Sequence, residues 1–256
     1  NHLRVKEILA IMFRWYKECS DPPVLFFICS ALGIMSRFGM IVELLFVDGL
    51  AEALFRIPFK GTQSSDKRCA GWSWQTWGNM VEISGSRAKA LLQRENIITA
   101  LVRFMDGDIV SNDGELLTNK WEMRSILRVL GNYCRGFAPC ACAIESCGHQ
   151  QLISERFACT ILKVMQATWK SFECQVSCIN LLHNLLKFTH QKKDFKVPRD
   201  VLGELADRLT KVKKFHKKVA EDLYIEGQTK QCLNWIKEML KSEDQQNGGV
   251  KRAKHS

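Results

Sequence analysis

Along most of the chain, apolar residues recur at spacings of three and four, the period that places them on one side of a helix. Val42, Leu45, Leu50 and Leu54 are one such run. At the N-terminal end, Leu3, Ile8, Leu9, Ile11, Met12 and Trp15 alternate with charges and predict an amphipathic helix over 3–19. That helix is expected to cover the element that follows it. Val219–Leu240 predicts one or two closing helices, with Trp235 and Leu240 inward. The polar stretch Ser242–Ser256, ending Lys251-Arg-Ala-Lys254, is expected to be disordered. Proline interrupts little of this, since the five prolines stand at 22, 23, 58, 139 and 198. Helix interiors exclude proline, so its scarcity points to long helices and away from a strand-and-turn sandwich.

The helical pattern is itself periodic. Four segments align: Ala31-Leu-Gly-Ile34-Met-Ser36, Thr76-Trp-Gly-Asn79-Met-Val81, Val129-Leu-Gly-Asn132-Tyr-Cys134 and Leu181-Leu-His-Asn184-Leu-Leu186. The anchor positions 34, 79, 132 and 184 are 45, 53 and 52 apart. A second marker falls at Gly49, Asn96, Gly148 and Asp200, 47, 52 and 52 apart. Two markers in one register indicate an internal repeat, which decides the fold class before any single residue does. Gly49, Asn96 and Gly148 fall between two apolar helical runs, and Gly and Asn tolerate the left-handed conformation that ends a helix. In the fourth copy, Pro198 and Asp200 replace the turn glycine. Gly33, Gly78 and Gly131 precede or adjoin the first marker and would let neighbouring helices approach closely. A mid-helix glycine costs about 1 kcal/mol against alanine, so its recurrence there implies packing.

This pattern resembles the armadillo repeat, in which a long third helix carrying Ala-Leu-x-Asn is followed by a first helix, a glycine turn and a leucine-rich second helix. Residues 24–210 match over about four units. Armadillo units run about 40–47 residues, so these are long; the related HEAT repeat is the alternative. The excess falls in two polar insertions, Gly61–Arg68 and Asp106–Thr118, the second a surface loop around Asn112-Asp-Gly114. The resemblance implies an all-α fold: a right-handed α-α superhelix with capping helices, forming one domain over 1–241. The cap would be 1–22, the repeats about 23–210, the closing helices 211–241 and the tail 242–256.

Composition changes the picture in three ways. Hydrophobic residues make up 46% and charged residues 25%, the balance of a folded chain rather than a disordered one. Eleven cysteines, an odd number with no paired framework, sit among aliphatics such as those around Cys29, Cys159, Cys178 and Cys232. They read as small hydrophobes in a reducing compartment, cytosol or nucleus. The uncharged run Pro22–Ser36 is fifteen residues long, short of the about 20 that a membrane span needs. The sequence begins at Asn1 rather than Met, and a fragment of a longer protein is expected.

The formal net charge of +10 is concentrated. Residues 187–218 hold eleven basic and four acidic side chains, net +7. Lys187, Lys192, Lys193, Lys196, Lys211, Lys213, Lys214, Lys217 and Lys218 supply most of it. This basic patch points to an acidic partner or nucleic acid, with a solvated helical face as the alternative. Lys211–Lys218 and the terminal Lys-Arg-Ala-Lys also suit nuclear import, so a nuclear or cytoplasmic location is expected.

Catalytic signatures are missing from the sequence. It holds no Walker loop, dinucleotide fingerprint, HExxH or Gly-x-Ser-x-Gly. Asp106-Gly-Asp108 with Asn112-Asp-Gly-Glu115 does not complete a calcium loop, because Leu117 stands where the bidentate acid belongs. Cys134, Cys140, Cys142, Cys147 and His149 lack the pair spacing of structural zinc and follow the repeat register, so packing is expected there. The expectation is a chain with no enzymatic activity, cofactor or metal.

The resemblance supplies the binding expectation. Armadillo third helices line a concave groove in which recurring asparagines hold an extended peptide by its backbone. An amide suits that task because it donates and accepts at once. Asn79, Asn132 and Asn184 occupy the ladder, with Gln75, Arg128 and Asn180 one turn earlier on the same face. Trp72, Arg124 and Arg135 complete the candidate partner-binding set. The alternative is that the asparagines brace adjacent helices. Importin-alpha-like members place tryptophan where Gln75, Arg128 and Asn180 stand, so a basic cargo does not fit. What is expected is a scaffold or adaptor that binds an extended, acidic protein segment. Two alternatives remain: a nucleic-acid-binding repeat protein using the 187–218 segment, and a targeting arm of a larger multidomain protein.

Overall fold

The structure is a computed structural model that describes residues 2–19, 21–46, 51, 54, 64–94, 97–107, 119–135, 152, 154–192, 197–216 and 222–252. Among these residues the chain is all-α. The helices run in the order α1 (His2–Glu18), α2 (Pro22–Met35), α3 (Gly39–Leu45), α4 (Ser64–Ile83), α5 (Gly85–Arg94) and α6 (Ile97–Gly107). They continue as α7 (Lys120–Cys134), α8 (Glu155–Ala167), α9 (Phe172–Lys192), α10 (Arg199–Phe215) and α11 (Leu223–Arg252). No helix among the described residues is long and apolar enough to cross a membrane.

Helix starts follow local chemistry. Pro22 and Pro23 open α2, where proline's missing N–H costs nothing and its φ is already helical. The Asn119 side-chain oxygen accepts from the Glu122 backbone N–H at 2.7 Å and opens α7. Ser154 caps α8 by accepting from Phe157 N, and Asp222 caps α11 by accepting from the Tyr224 and Ile225 N–H groups. Each oxygen satisfies a backbone donor that the helix itself leaves open.

The chain divides into two compact units, Asn1–Leu101 with Thr118–Tyr133, and Val102–Leu117 with Cys134–Ser256. The repeat pattern predicts one continuous domain over 1–241, whereas the contacts divide within α6 and again near the end of α7. In the first unit, α2 packs along α4, and α3 and α5 pack on α4. Its core comprises Ile28, Cys29, Leu32, Val42, Leu45, Trp74, Trp77, Met80 and Leu92, with Met123, Ile126, Leu127 and Leu130 from α7. In the second unit, α11 packs on α9 and α10, and α8 on α9 and α10. Ile225, Cys232 and Ile236 of α11, at helical spacing, join Leu181, Leu182, Leu205 and Leu209 inside.

Several boundaries differ from the sequence expectation. The expected polar insertion Gly61–Arg68 contributes its second part to α4, which begins at Ser64. Ser64-Ser65-Asp66 is a helix-start signature, and polarity there marks an N-terminus rather than a loop. The tail expected to be disordered from 242 continues α11 as helix to Arg252, although Gly248 and Gly249 are poor helix formers. In the fourth repeat copy, Asp200 lies in the first turn of α10, not between two helices. Gly49, Asn96, Gly148 and residues 108–118 lie outside the described residues. The α1 cap is only partly inward. Leu9 is buried, while Ile8, Ile11 and Trp15 are exposed on the opposite side of the helix. Met12 and Tyr16 are half-buried, and burial pushes the Tyr16 hydroxyl well above its ordinary value.

Candidate groove and basic surface

The repeated asparagines are structural partners of the repeated glycines. On α4, Asn79 is 3% exposed. Its Nδ2 donates to the Gly33 carbonyl at 3.2 Å and to Ser36 Oγ at 2.8 Å. Ser36 Oγ in turn donates to Gly33 O at 2.9 Å. On α7, half-buried Asn132 donates from Nδ2 to the Gly78 carbonyl at 3.1 Å. In both cases the anchor of one long helix reaches the residue just before the anchor of the preceding one. Both hydrogens of the Asn79 amide are used, and the side chain is out of reach of solvent. The expectation that Asn79 holds a peptide is therefore corrected in favour of the bracing alternative. The buried Gly33 carbonyl, in the last turn of α2, has no backbone donor of its own among the described residues, and the Asn79 amide supplies one.

Glycine sets how closely those helices approach. A Cβ at Gly33 would stand 2.5 Å from Trp72 Cε3, and one at Gly71 would stand 2.4 Å from Trp121 Cζ3. At Gly78 the nearest atom, Arg128 Cδ, is at 3.5 Å, an ordinary contact. Trp72 and Trp121 meet edge to face, with centroids 4.8 Å apart, a favoured aromatic geometry. Trp72, an expected partner-binding residue, is half-buried in this packing.

The remaining expected groove residues of the first unit are more accessible. Gln75 is half-buried on α4 and Arg124 is exposed on α7. Arg128 bonds Glu82 Oε2 through its guanidinium at 2.6 Å, both side chains staying partly exposed. A second bridge on this unit links α3 to α5, where Glu43 takes Arg87 at 3.3 Å and the Ser84 hydroxyl. Arg135 is exposed and falls with the second unit. Asn180 and Asn184, on α9 of that unit, are half-buried.

The basic patch divides into described and undescribed parts. Lys187, Lys211 and Lys214 are exposed. Lys213 is engaged with Glu226 of α11 at 2.9 Å, and Lys230 shares that carboxylate at 3.2 Å. Lys192 ends α9 with its side chain outside the description, and Lys193, Lys196, Lys217 and Lys218 lie outside the described residues. Hydrogen bonds from Lys213 and then Lys230 hold the Glu226 carboxyl below its ordinary value. A carboxylate depressed in the folded state stabilises above its unfolded pKa, and that contribution is lost as pH falls through the folded value. Acidification through the carboxylate range is therefore expected to loosen α11 from α10. Urea midpoints measured across that range should fall more steeply for the wild type than for Lys213→Met; identical profiles would remove the bridge from the account.

Cysteine behaves mainly as filler. Cys29, Cys178 and Cys232 are buried. A hydrogen bond with Cys69 and then burial push the Cys29 thiol well up, and burial pushes Cys178 well up and Cys232 to about 12. Cys159 departs from the expectation, being only half-buried. No group of three metal-ligating side chains lies close enough together to hold an ion among the described residues. Cys134 is buried there, while Cys140, Cys142, Cys147 and His149 lie outside them.

A cluster that sequence reading missed surrounds the α8–α9 turn. Trp169 and Phe215 have centroids 4.9 Å apart, His216 lies 5.0 Å from Phe215, and Phe172 lies 6.0 Å from His216. Arg208 places its guanidinium carbon 5.3 Å from the Trp169 ring centre. Phe215 and His216 are visible inside the basic run of the sequence, but their partners come from forty or more residues away and no local pattern announces them.

Comparison with family models, curated proteins and solved structures finds no match.

Proposed function

We propose that the chain is a non-enzymatic scaffold of the armadillo-like superhelical type. Its first unit would hold an extended, acidic segment of a protein partner along the accessible positions of α2, α4 and α7. The observation that carries this reading is the repeated bond from an asparagine amide to the carbonyl one residue before the preceding anchor. That bond keeps successive long helices in one register, as a repeat built to present a continuous surface requires. With the asparagines braced, recognition passes to the side chains around them. Arg124 and Arg128 would meet carboxylates, Gln75 would meet backbone, and exposed Phe27 and Ile34 of α2 would take apolar side chains.

The test is affinity capture with mass spectrometry, comparing wild type with Arg124→Glu/Arg128→Glu. Both positions are partly or fully exposed, so the fold should survive, as circular dichroism would verify. Recovery of the acidic partner is expected to fall about tenfold, the scale of two reversed surface charges. Glu82→Gln is expected to raise recovery severalfold, because it releases Arg128 from its present carboxylate. Recovery of the same proteins in the same amounts by all three forms would remove the groove reading.

A further inference from the structure

The aromatic cluster on the second unit has a use that the groove reading does not supply. Arg208, Lys211 and Phe215 are spaced by three and four along α10 and so share one face of that helix. Phe215 ends the helix, 56% exposed despite its contacts with Trp169 and His216. The surface beneath it is held by several independent bonds. His216 Nε2 donates to the Trp169 carbonyl at 2.9 Å. Buried Gln175 donates from Nε2 to Met165 O at 2.9 Å and to Thr168 Oγ1 at 3.1 Å. Ser171 N closes the turn on Thr168 O at 2.8 Å. A large apolar ring thus stays in solvent at the end of α10, packed against a turn that these bonds hold.

Its surroundings are cationic. Lys170 on the turn and Lys211 and Lys214 on α10 are exposed, and Arg208 lies over Trp169. Asp207, one turn before Lys211, and Glu204, one turn before Arg208, are exposed acids on that side of α10, and Glu173 stands beside the turn; the basic side chains outnumber them. An exposed aromatic ring beside several cations has two complementary capacities. The ring offers a π-face to any planar base, and the cations take the phosphates that link one base to the next. A carboxylate-rich peptide would use the cations alone and leave the ring without a role.

We propose that this platform binds single-stranded nucleic acid, with a base stacked on Phe215 and the flanking phosphates on Lys170, Lys211 and Lys214. The proposal is independent of the groove on the first unit. Its test is fluorescence anisotropy of the full chain with labelled oligouridylate and oligodeoxythymidylate at low salt, followed by a salt titration. Phe215→Ala is expected to weaken binding about tenfold, with Phe215→Trp restoring it, because stacking depends on ring area. Lys211→Gln/Lys214→Gln is expected to reduce the slope of log affinity against log salt by about 1.4, roughly 0.7 for each phosphate contact to a single strand. Since Phe215 and both lysines are exposed, these variants should retain their helical spectra. Absence of binding at low salt would overturn the proposal. So would equal affinity of Phe215→Ala and wild type, which would reduce the surface to a general polyanion binder. Binding of a glutamate-rich peptide but of neither oligonucleotide would overturn it in favour of a protein ligand.

Discussion

Gly71→Ala is expected to destabilise the first unit by about 2–3 kcal/mol, the cost of overpacking a close contact. Helix propensity alone predicts the opposite, a gain of about 1 kcal/mol for alanine over glycine inside a helix. The sign reverses because the added carbon would lie 2.4 Å from Cζ3 and 2.6 Å from Cε3 of Trp121. That ring cannot withdraw without leaving its edge-to-face contact with Trp72, 4.8 Å away. Gly203→Ala supplies the control. It lies inside α10, and a Cβ there meets nothing within 4 Å, so the propensity gain of about 1 kcal/mol should appear undiminished. Urea denaturation of both variants decides the matter. If Gly71→Ala gains stability as Gly203→Ala does, the Trp121 ring does not pack on Gly71.

Asn79→Ala is expected to cost about 2–3 kcal/mol, the range for leaving a buried polar partner unsatisfied while also losing a hydrogen bond. Two acceptors lose their donor at once, Gly33 O and Ser36 Oγ. Ser36 still donates to Gly33 O, which limits the loss. Asn132→Ala removes one bond, from a side chain that is only half-buried, and should cost about 1 kcal/mol. The ratio between the two variants is the informative quantity. A larger loss at Asn132 than at Asn79 would contradict the difference in burial. A double cycle with Ser36→Ala should show coupling of about 1 kcal/mol, because the two residues share one carbonyl.

Much of the helical content was legible because helix formation is local. The period of apolar residues located α1, α4, α7 and α9, and Pro22-Pro23 marked the start of α2. Of the glycines read as packing positions, Gly33 shows the close approach, against Trp72, while Gly78 meets only an ordinary contact. What the asparagines do was open between holding a ligand and bracing a helix. Both roles demand the same residue type at the same spacing, and only the position of the Gly33 carbonyl and Ser36 separates them. The inward set on α1 was misread for a related reason. Ile8 and Trp15 are as apolar as Leu9, and periodicity alone cannot say which of two apolar sides meets a neighbour.

The sequence by itself determined an all-helical chain with a repeating register, a strong local concentration of positive charge, and the residues able to pack helices closely. These follow from propensity, period and composition, each a property of residues near one another along the chain. Tertiary structure alone decided that the contacts fall into two units, that Asn79 is spent on bracing, and that Arg128 is already paired with Glu82. It also brought Trp169 against Phe215 and Arg208. Each of those outcomes joins residues about forty or more positions apart, where the free energy of contact depends on distance in space, and spacing in sequence carries no record of it.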